Sequence, residues 1–98
     1  MRTLMTIQID TEAGNKMNAD GSLRKAMQEL MEQLKPEAAY FTPRDGCRCA
    51  YIVFDMTDPS QMVTLSEPMF QGPLAKVSFA PVMNADDLQK GLQAALGG

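Results

Sequence analysis

The sequence predicts a small α+β fold in which two strand–helix–strand units flank an antiparallel hairpin, followed by a final helix. Three observations carry this prediction. Residues 48–56 are the most strand-like run, with four large apolar or aromatic side chains in succession. Residues 2–9 and 74–82 alternate between apolar and mixed side chains. Between and after these runs, apolar residues recur at helical spacing.

Length and composition bound the function. The 98 residues make one domain, residues 1–98, and the net charge of −3 without a basic cluster argues against nucleic acid and anionic membranes as partners. No apolar run approaches the roughly 18 residues of a membrane span, and no signal peptide is recognisable, so we expect a cytoplasmic protein of bacterial type. Histidine is absent, which excludes Ser–His and Cys–His pairs within the chain. We assign no catalytic residue, metal or cofactor.

The first half of the chain begins with a strand over residues 2–9. Asp10 or Thr11 is expected to cap a weak helix over residues 11–19, and Asp20-Gly21 marks a break. Ser22 is the expected N-cap of a stronger helix that stops at Pro36. The apolar stripe of that helix consists of Leu23, Met27, Leu30, Met31 and Leu34.

A hairpin follows. Residues 38–42 are expected to form a short edge strand because Pro43 comes after them, and Arg44-Asp45-Gly46 is a turn signal leading into residues 48–56. On that central strand, one face is wholly apolar and the other is mixed. The apolar face carries Ala50, Ile52, Phe54 and Met56, and the mixed face carries Cys47, Cys49, Tyr51, Val53 and Asp55.

The last third repeats the alternation of helix and strand. Asp58-Pro59 opens a helix that Pro68 interrupts and Gly72-Pro73 ends, and residues 74–82 form the fourth strand. Asn84 with Asp87 three residues on is expected to cap a final helix. The apolar stripe of the final helix consists of Leu88, Leu92, Ala95 and Leu96.

The element order, β-α-β-β-α-β-α, is that of the ferredoxin-like arrangement, with sheet order 4-1-3-2 and helices on one face of a four-stranded antiparallel sheet. The other face is too apolar for water and too polar for a dry core. A twofold dimer that brings two such faces together accounts for both properties. A monomer with a solvated sheet face is the alternative.

The order of elements, the D-P-S helix start at residues 58–60 and the closing F-A-P-V-M-N-A-D-D-L at residues 79–88 resemble small proteins of the dimeric α+β barrel superfamily. Within it, the chain is similar to small uncharacterised members. The resemblance implies a homodimer whose sheets face each other, with a cavity between sheet and helices or inside the barrel. The superfamily includes monooxygenases, isomerases, haem proteins and sensors, several of which use histidine. Those roles have no counterpart in this chain.

The candidate ligand-binding residues share the mixed sheet face across three strands: Gln8, Tyr51, Asp55, Lys76 and Ser78. A carboxylate beside a lysine, with a phenol and an amide, is suited to orienting a small apolar or aromatic ligand with a polar group. The alternative is an Asp55–Lys76 ion pair at a dimer seam without any ligand.

Three weaker signals have structural explanations of their own. Cys47 and Cys49 point the same way on a strand, a spacing that suits two metal ligands or redox chemistry, but ordinary strand residues explain it as well. Arg44 and Arg48 beside Gly46 either attract an anion or are solvated turn charges. The nine methionines fit core packing or an adaptable pocket.

Three functions remain open at this point. The first is a ligand-binding or accessory protein with a cavity near the mixed face. The second is a cofactor-independent isomerase or monooxygenase-like enzyme acting on a hydrophobic substrate, with Asp55 or Tyr51 transferring the proton. The third is an interaction module whose mixed face is only a dimer surface.

Overall fold

The computed structural model describes residues 1–97, within which the chain forms four strands and four helices. Two helices separate the first strand from the hairpin, which confirms the two helical segments predicted there, although the predicted element order counts them as one. In chain order the elements are β1 (Arg2–Gln8), α1 (Thr11–Asp20), α2 (Ser22–Leu34), β2 (Ala38–Arg44), β3 (Cys47–Asp55), α3 (Gln61–Gln71), β4 (Lys76–Pro81) and α4 (Ala85–Ala95).

The strands form one antiparallel sheet in the order β2-β3-β1-β4, which confirms the predicted order. β1 and β3 are therefore the central strands. Both are largely buried, and the side of each that faces the helices is mostly apolar, with Met5 and Ile7 on β1 and Ala50, Ile52 and Phe54 on β3. The edge strands β2 and β4 are the more exposed ones, and each contains a proline, Pro43 and Pro81 respectively.

The hydrophobic core lies between one face of the sheet and the helices α1–α3. Met5, Ile7 and Ile52 are fully buried on the sheet side, and Phe54 beside them is almost so. The helices contribute the buried side chains of Leu23, Leu30, Leu65 and Met69 to the same cluster. The predicted division of the sheet into a helix-covered face and an open face is therefore confirmed.

The junction of α1 and α2 confirms the predicted break at Asp20-Gly21, and only the N-cap of α2 differs from the prediction. The carboxylate of Asp10 accepts a hydrogen bond from the N–H of Ala13 at 3.0 Å and caps α1, which continues to Asp20. Gly21 then adopts a left-handed φ of 82° and ends α1, and α2 begins at the next residue. Ser22 is the first residue of α2, so its assignment as N-cap was wrong. Only Gly21 separates the two helices, because glycine takes this φ without strain.

Helix α3 also differs. It begins at Gln61, after a turn in which the carboxylate of Asp58 accepts a hydrogen bond from the N–H of Ser60 at 2.8 Å. Pro68 lies inside the helix and does not interrupt it. The carbonyl of Thr64, which loses its helical donor at Pro68, belongs to an exposed residue, so water can satisfy it.

The β2–β3 hairpin is closed by two residues with positive φ, Asp45 at 53° and Gly46 at 76°. This is the type I′ turn that Asp-Gly favours. Strand β2 extends through Pro43 to Arg44, two residues beyond the predicted end. Strand β4 starts at Lys76, later than predicted, because Leu74 has a φ of 50°.

Helix α4 carries the predicted capping box. The side chain of Asn84 accepts from the N–H of Asp87 at 2.8 Å, and the carboxylate of Asp87 accepts from the N–H of Asn84 at 3.1 Å. None of residues 85–95 is buried. Of the helices within residues 1–97, none has the length and apolar character needed to cross a bilayer.

Candidate functional site

The open sheet face is organised in rows that run straight across the four strands. Because the pairing registers align, each residue of β1 faces one partner on β3 and one on β4. The rows change character along the strand direction. A charged pair, Arg2 with Asp55, stands at one end of the β1–β3 ladder, and three rows follow it, the first apolar, the second hydroxyl-bearing and the third polar. In that order the rows are Ala38–Val53–Leu4–Ala80, Tyr40–Tyr51–Thr6–Ser78 and Thr42–Cys49–Gln8–Lys76.

The middle row consists of four residues that all carry hydroxyl groups. Thr6 at its centre is buried by its neighbours, Tyr51 is half-buried, and Tyr40 and Ser78 are exposed at the two edges. Neighbouring strands lie about 4.8 Å apart, so the four hydroxyl-bearing side chains span the whole width of the sheet. Hydroxyl groups both donate and accept hydrogen bonds, which lets this row contact a polar group of either kind.

The polar end of the face is a shallow depression with a volume of about 150 Å³. Gln8 is fixed there, because its side-chain amide donates to the carbonyl of Arg44 at 2.9 Å. Lys76 pairs with Gln8 across the β1–β4 ladder, and Ser78 is two residues further along β4. Four of the five candidate residues, Gln8, Tyr51, Lys76 and Ser78, therefore lie in two adjacent rows.

Asp55 does not join them. It pairs with Arg2 at the opposite end of the β1–β3 ladder, four residues from Tyr51 and roughly 13 Å away at the usual strand rise. Its carboxylate lies 2.6 Å from the amino group of Met1. The Asp55–Lys76 ion pair is not formed in the protomer, because the two residues lie at opposite ends of the sheet.

Arg2 connects this end of the face to helix α4. Its guanidinium donates to Glu37 at 2.8 Å and to Asp87, in the first turn of α4, at 3.2 Å. The hydrogen bond and the charge of Glu37 raise the pKa of Arg2 above its ordinary value. Asp87 thus both caps α4 and attaches it to β1, which fixes where the helix leaves the sheet.

The apolar stripe of α4 is solvent-exposed. Leu88 is 47% exposed, Leu92 43% and Leu96 80%. An isolated helix of this length is marginal in water, since most helices gain their stability by packing an apolar face. The sequence identified the stripe correctly, but within residues 1–97 no core covers it.

The remaining candidates separate in space. Cys47 and Cys49 are free thiols, the first half-buried and the second buried, and the hydroxyl of Thr11 lies 3.5 Å from the sulfur of Cys47. Arg44 lies 4.0 Å from Asp45 at the turn. Arg48 belongs to the helix-covered face, because it alternates with Ala50 and Ile52, so the two arginines do not form one site.

Sequence reasoning missed Tyr40 and Thr6 as members of the hydroxyl row. The signal was present in the hairpin, because a two-residue Asp-Gly loop fixes the register and places Tyr40 opposite Tyr51. Thr6 was placed on the correct face but not aligned with Tyr51 and Ser78.

Comparison of the chain with protein-family models, with curated protein sequences and with solved structures gives no match.

Proposed function

We propose that the protein is a homodimeric small-molecule-binding protein whose two open sheet faces enclose the ligand. The arrangement is the dimeric α+β barrel that the sequence resembles. The observation that carries the proposal is the amount of surface that the protomer leaves uncovered on its open face and along α4. The free thiols Cys47 and Cys49 favour a reducing compartment such as the cytoplasm.

The accessible surface supports a partner of this size. The protomer exposes 6661 Å². A compact monomer of 10.7 kDa is expected to expose about 5,500 Å². The excess of roughly 1,150 Å² is comparable with the ~800 Å² that each partner buries in a stable interface of standard size.

The shape of the protomer leads to the same conclusion. Its radius of gyration is 15.7 Å, whereas a compact domain of this length has about 12.6 Å. The molecule measures 56 × 27 × 18 Å. No residue of helix α4 between residues 85 and 95 is buried, so the apolar stripe of this helix is uncovered. A second copy that packs on α4 and on the apolar row around Leu4 and Val53 removes both exposed surfaces from water at once.

The different side chains of the rows support different tasks in the proposed dimer. The apolar row nearest α4 is suited to the subunit interface. The hydroxyl row and the polar row beyond it supply Gln8, Tyr51, Lys76 and Ser78 as hydrogen-bonding groups for a small ligand with an apolar or aromatic body. Asp55 lies on the same face at the interface end, and we keep it in the proposed site as a residue that a second copy would reach.

Native mass spectrometry of freshly purified protein tests both parts of the proposal, because it reports subunit number and retained mass together. The expected result is a dimer of twice 10.7 kDa carrying an additional small mass. Lys76→Gln and Tyr51→Phe are expected to reduce the retained mass without changing the subunit number. Lys25→Gln, at an exposed position of α2, is the matched control and is expected to keep it.

A monomer at every concentration would overturn the facing-sheet arrangement. A dimer without retained mass, in which Tyr51→Phe and Lys76→Gln change only the dimer dissociation constant, would identify the open face as an interaction surface without a ligand. Catalysis is a separate outcome, which requires turnover of the retained compound and its loss in Asp55→Asn.

A further inference from the structure

A further cavity lies on the other side of the sheet, between helix α2 and the β2–β3 hairpin. Its volume is about 320 Å³, at the lower end of the range for small-ligand sites. Apolar side chains dominate its lining, with Leu23 and Met27 from α2, Phe41 and Pro43 from β2, and Ile9 after β1. None of the five candidate ligand-binding residues of the open face contributes to it.

One wall of this cavity contains a large apolar side chain that is exposed to solvent. Phe41 lies on the helix-facing side of β2, alternating with Ala39, yet it is 60% exposed. A half-exposed aromatic ring beside an apolar cavity loses little side-chain conformational entropy when it is ordered. It gains buried apolar surface when an apolar group enters the cavity. The cavity is therefore shaped for an apolar body that contacts Phe41.

Arg48 is the only charged residue in the cavity lining. The N–H of Ile9 donates a hydrogen bond to the carbonyl of Arg48 at 2.8 Å. This bond ties the backbone of β3 at Arg48 to the segment that leads into α1. Within residues 1–97, its guanidinium has no carboxylate within ion-pair distance and makes no side-chain hydrogen bond, in contrast to Arg2 with its two acidic partners. The guanidinium of Arg48 is therefore free to pair with a negatively charged ligand at the cavity.

Gly14 leaves the space in which this guanidinium lies. A Cβ atom at Gly14 would stand 2.8 Å from Nη1 of Arg48 and 3.0 Å from Cγ2 of Ile9. The first turns of α1 therefore approach Arg48 so closely that only glycine fits without displacing a neighbour. The guanidinium therefore lies against the backbone of α1 at the cavity, while Arg48 itself is exposed.

We propose that this cavity is a binding site for a small amphipathic carboxylate, with the aromatic or aliphatic body against Phe41, Leu23 and Met27 and the carboxylate on Arg48. The planar guanidinium offers two parallel N–H donors to a carboxylate. The apolar lining excludes ligands that are charged along their whole length. The site lies within one protomer, so it goes beyond the function proposed above and does not depend on the dimer.

Isothermal titration of wild-type protein with 1-naphthoate and with the neutral isostere 1-naphthamide tests the proposal. We expect naphthoate to bind roughly tenfold more tightly, the difference that one charge-assisted hydrogen bond supplies. Arg48→Gln is expected to abolish this difference and leave naphthamide binding unchanged. Arg44→Gln removes the same charge from the same hairpin outside the cavity, and it is expected to preserve the difference.

Two results would overturn the proposal. The first is equal affinity of the wild-type protein for naphthoate and naphthamide, or no binding of either at millimolar concentration. The second is an equal loss of naphthoate binding in Arg44→Gln and Arg48→Gln, which would show an unspecific effect of the hairpin charge. Because Arg48 is exposed and makes no side-chain hydrogen bond within residues 1–97, both variants are expected to unfold at the wild-type temperature.

Discussion

The exposed leucines of α4 allow the strength of subunit association to be predicted. Burial of a whole leucine side chain contributes about 2 kcal/mol. Leu92 is 43% exposed in the protomer, so covering the remainder contributes about 0.9 kcal/mol per copy. In the proposed twofold dimer the residue occurs twice, and Leu92→Ala is therefore expected to weaken association by about 1.5–2 kcal/mol. This corresponds to a rise of roughly 10- to 30-fold in the dimer dissociation constant.

Sedimentation velocity over a dilution series measures this constant directly. Alanine has the highest helix propensity, so the substitution removes apolar surface without weakening α4 itself. Gln93→Ala, one residue further along the same helix, is the matched control and is expected to leave the constant unchanged. If Leu92→Ala associates as tightly as wild type, α4 does not pack on the second copy and the surface argument for the interface is refuted.

Three further predictions concern stability. Phe54→Ala in the core is expected to lower the free energy of unfolding by about 3–5 kcal/mol in urea titrations, and a loss below 1 kcal/mol would contradict the core assignment. Hydrogen bonds from the hydroxyl and the N–H of Ser60 hold the pKa of Asp58 below its ordinary value, so the turn before α3 is stabilised above about pH 4 and is expected to loosen as the pH falls through that lowered pKa. The amide shift of Ser60 in an NMR pH titration measures this, and Asp58→Asn should remove the transition. Gly46→Ala at a φ of 76° is expected to destabilise the hairpin by about 1–2 kcal/mol. Gly91→Ala in open space on α4 is expected to stabilise its helix by up to about 1 kcal/mol. Thermal unfolding followed by circular dichroism distinguishes the two signs.

Much of the architecture follows from alternation alone. Period-two patterns in β1 and β3 fixed which side chains face the helices, and the local chemistry of Asn84 with Asp87 located the start of α4. These features depend on neighbours in sequence, which is why they were predictable. The strand order followed from topology, because a hairpin between two crossover units leaves β1 and β3 in the middle of the sheet.

The errors occurred where a residue type permits two structures. Ser22 is a preferred N-cap type, but the left-handed Gly21 that ends α1 directly precedes α2, so Ser22 is the first residue of that helix. Pro68 usually ends a helix, but it is tolerated where the carbonyl that loses its donor faces water. Sequence patterns list the options at these positions, and the packing around them selects one.

The site was only partly predictable for a different reason. Alternation assigns Tyr51, Asp55 and Lys76 to one face but says nothing about their positions along it. The pairing register of the strands determines the position of a residue along the face, and it places Asp55 at the opposite end from Lys76. Arg48 was overlooked because it was grouped with Arg44 by sequence proximity, although its parity with Ala50 places it on the apolar side.

The prolines in the two edge strands limit how copies of this chain can assemble. Pro43 and Pro81 each remove a backbone donor from a strand that would otherwise offer a continuous ladder to another sheet. Strand-to-strand addition, which has no natural end point and leads to fibres, is thereby disfavoured. Association through the open sheet faces is self-limiting, because one partner covers the whole open face of each copy. The edges therefore favour an assembly of fixed size even though the protomer exposes a large apolar surface.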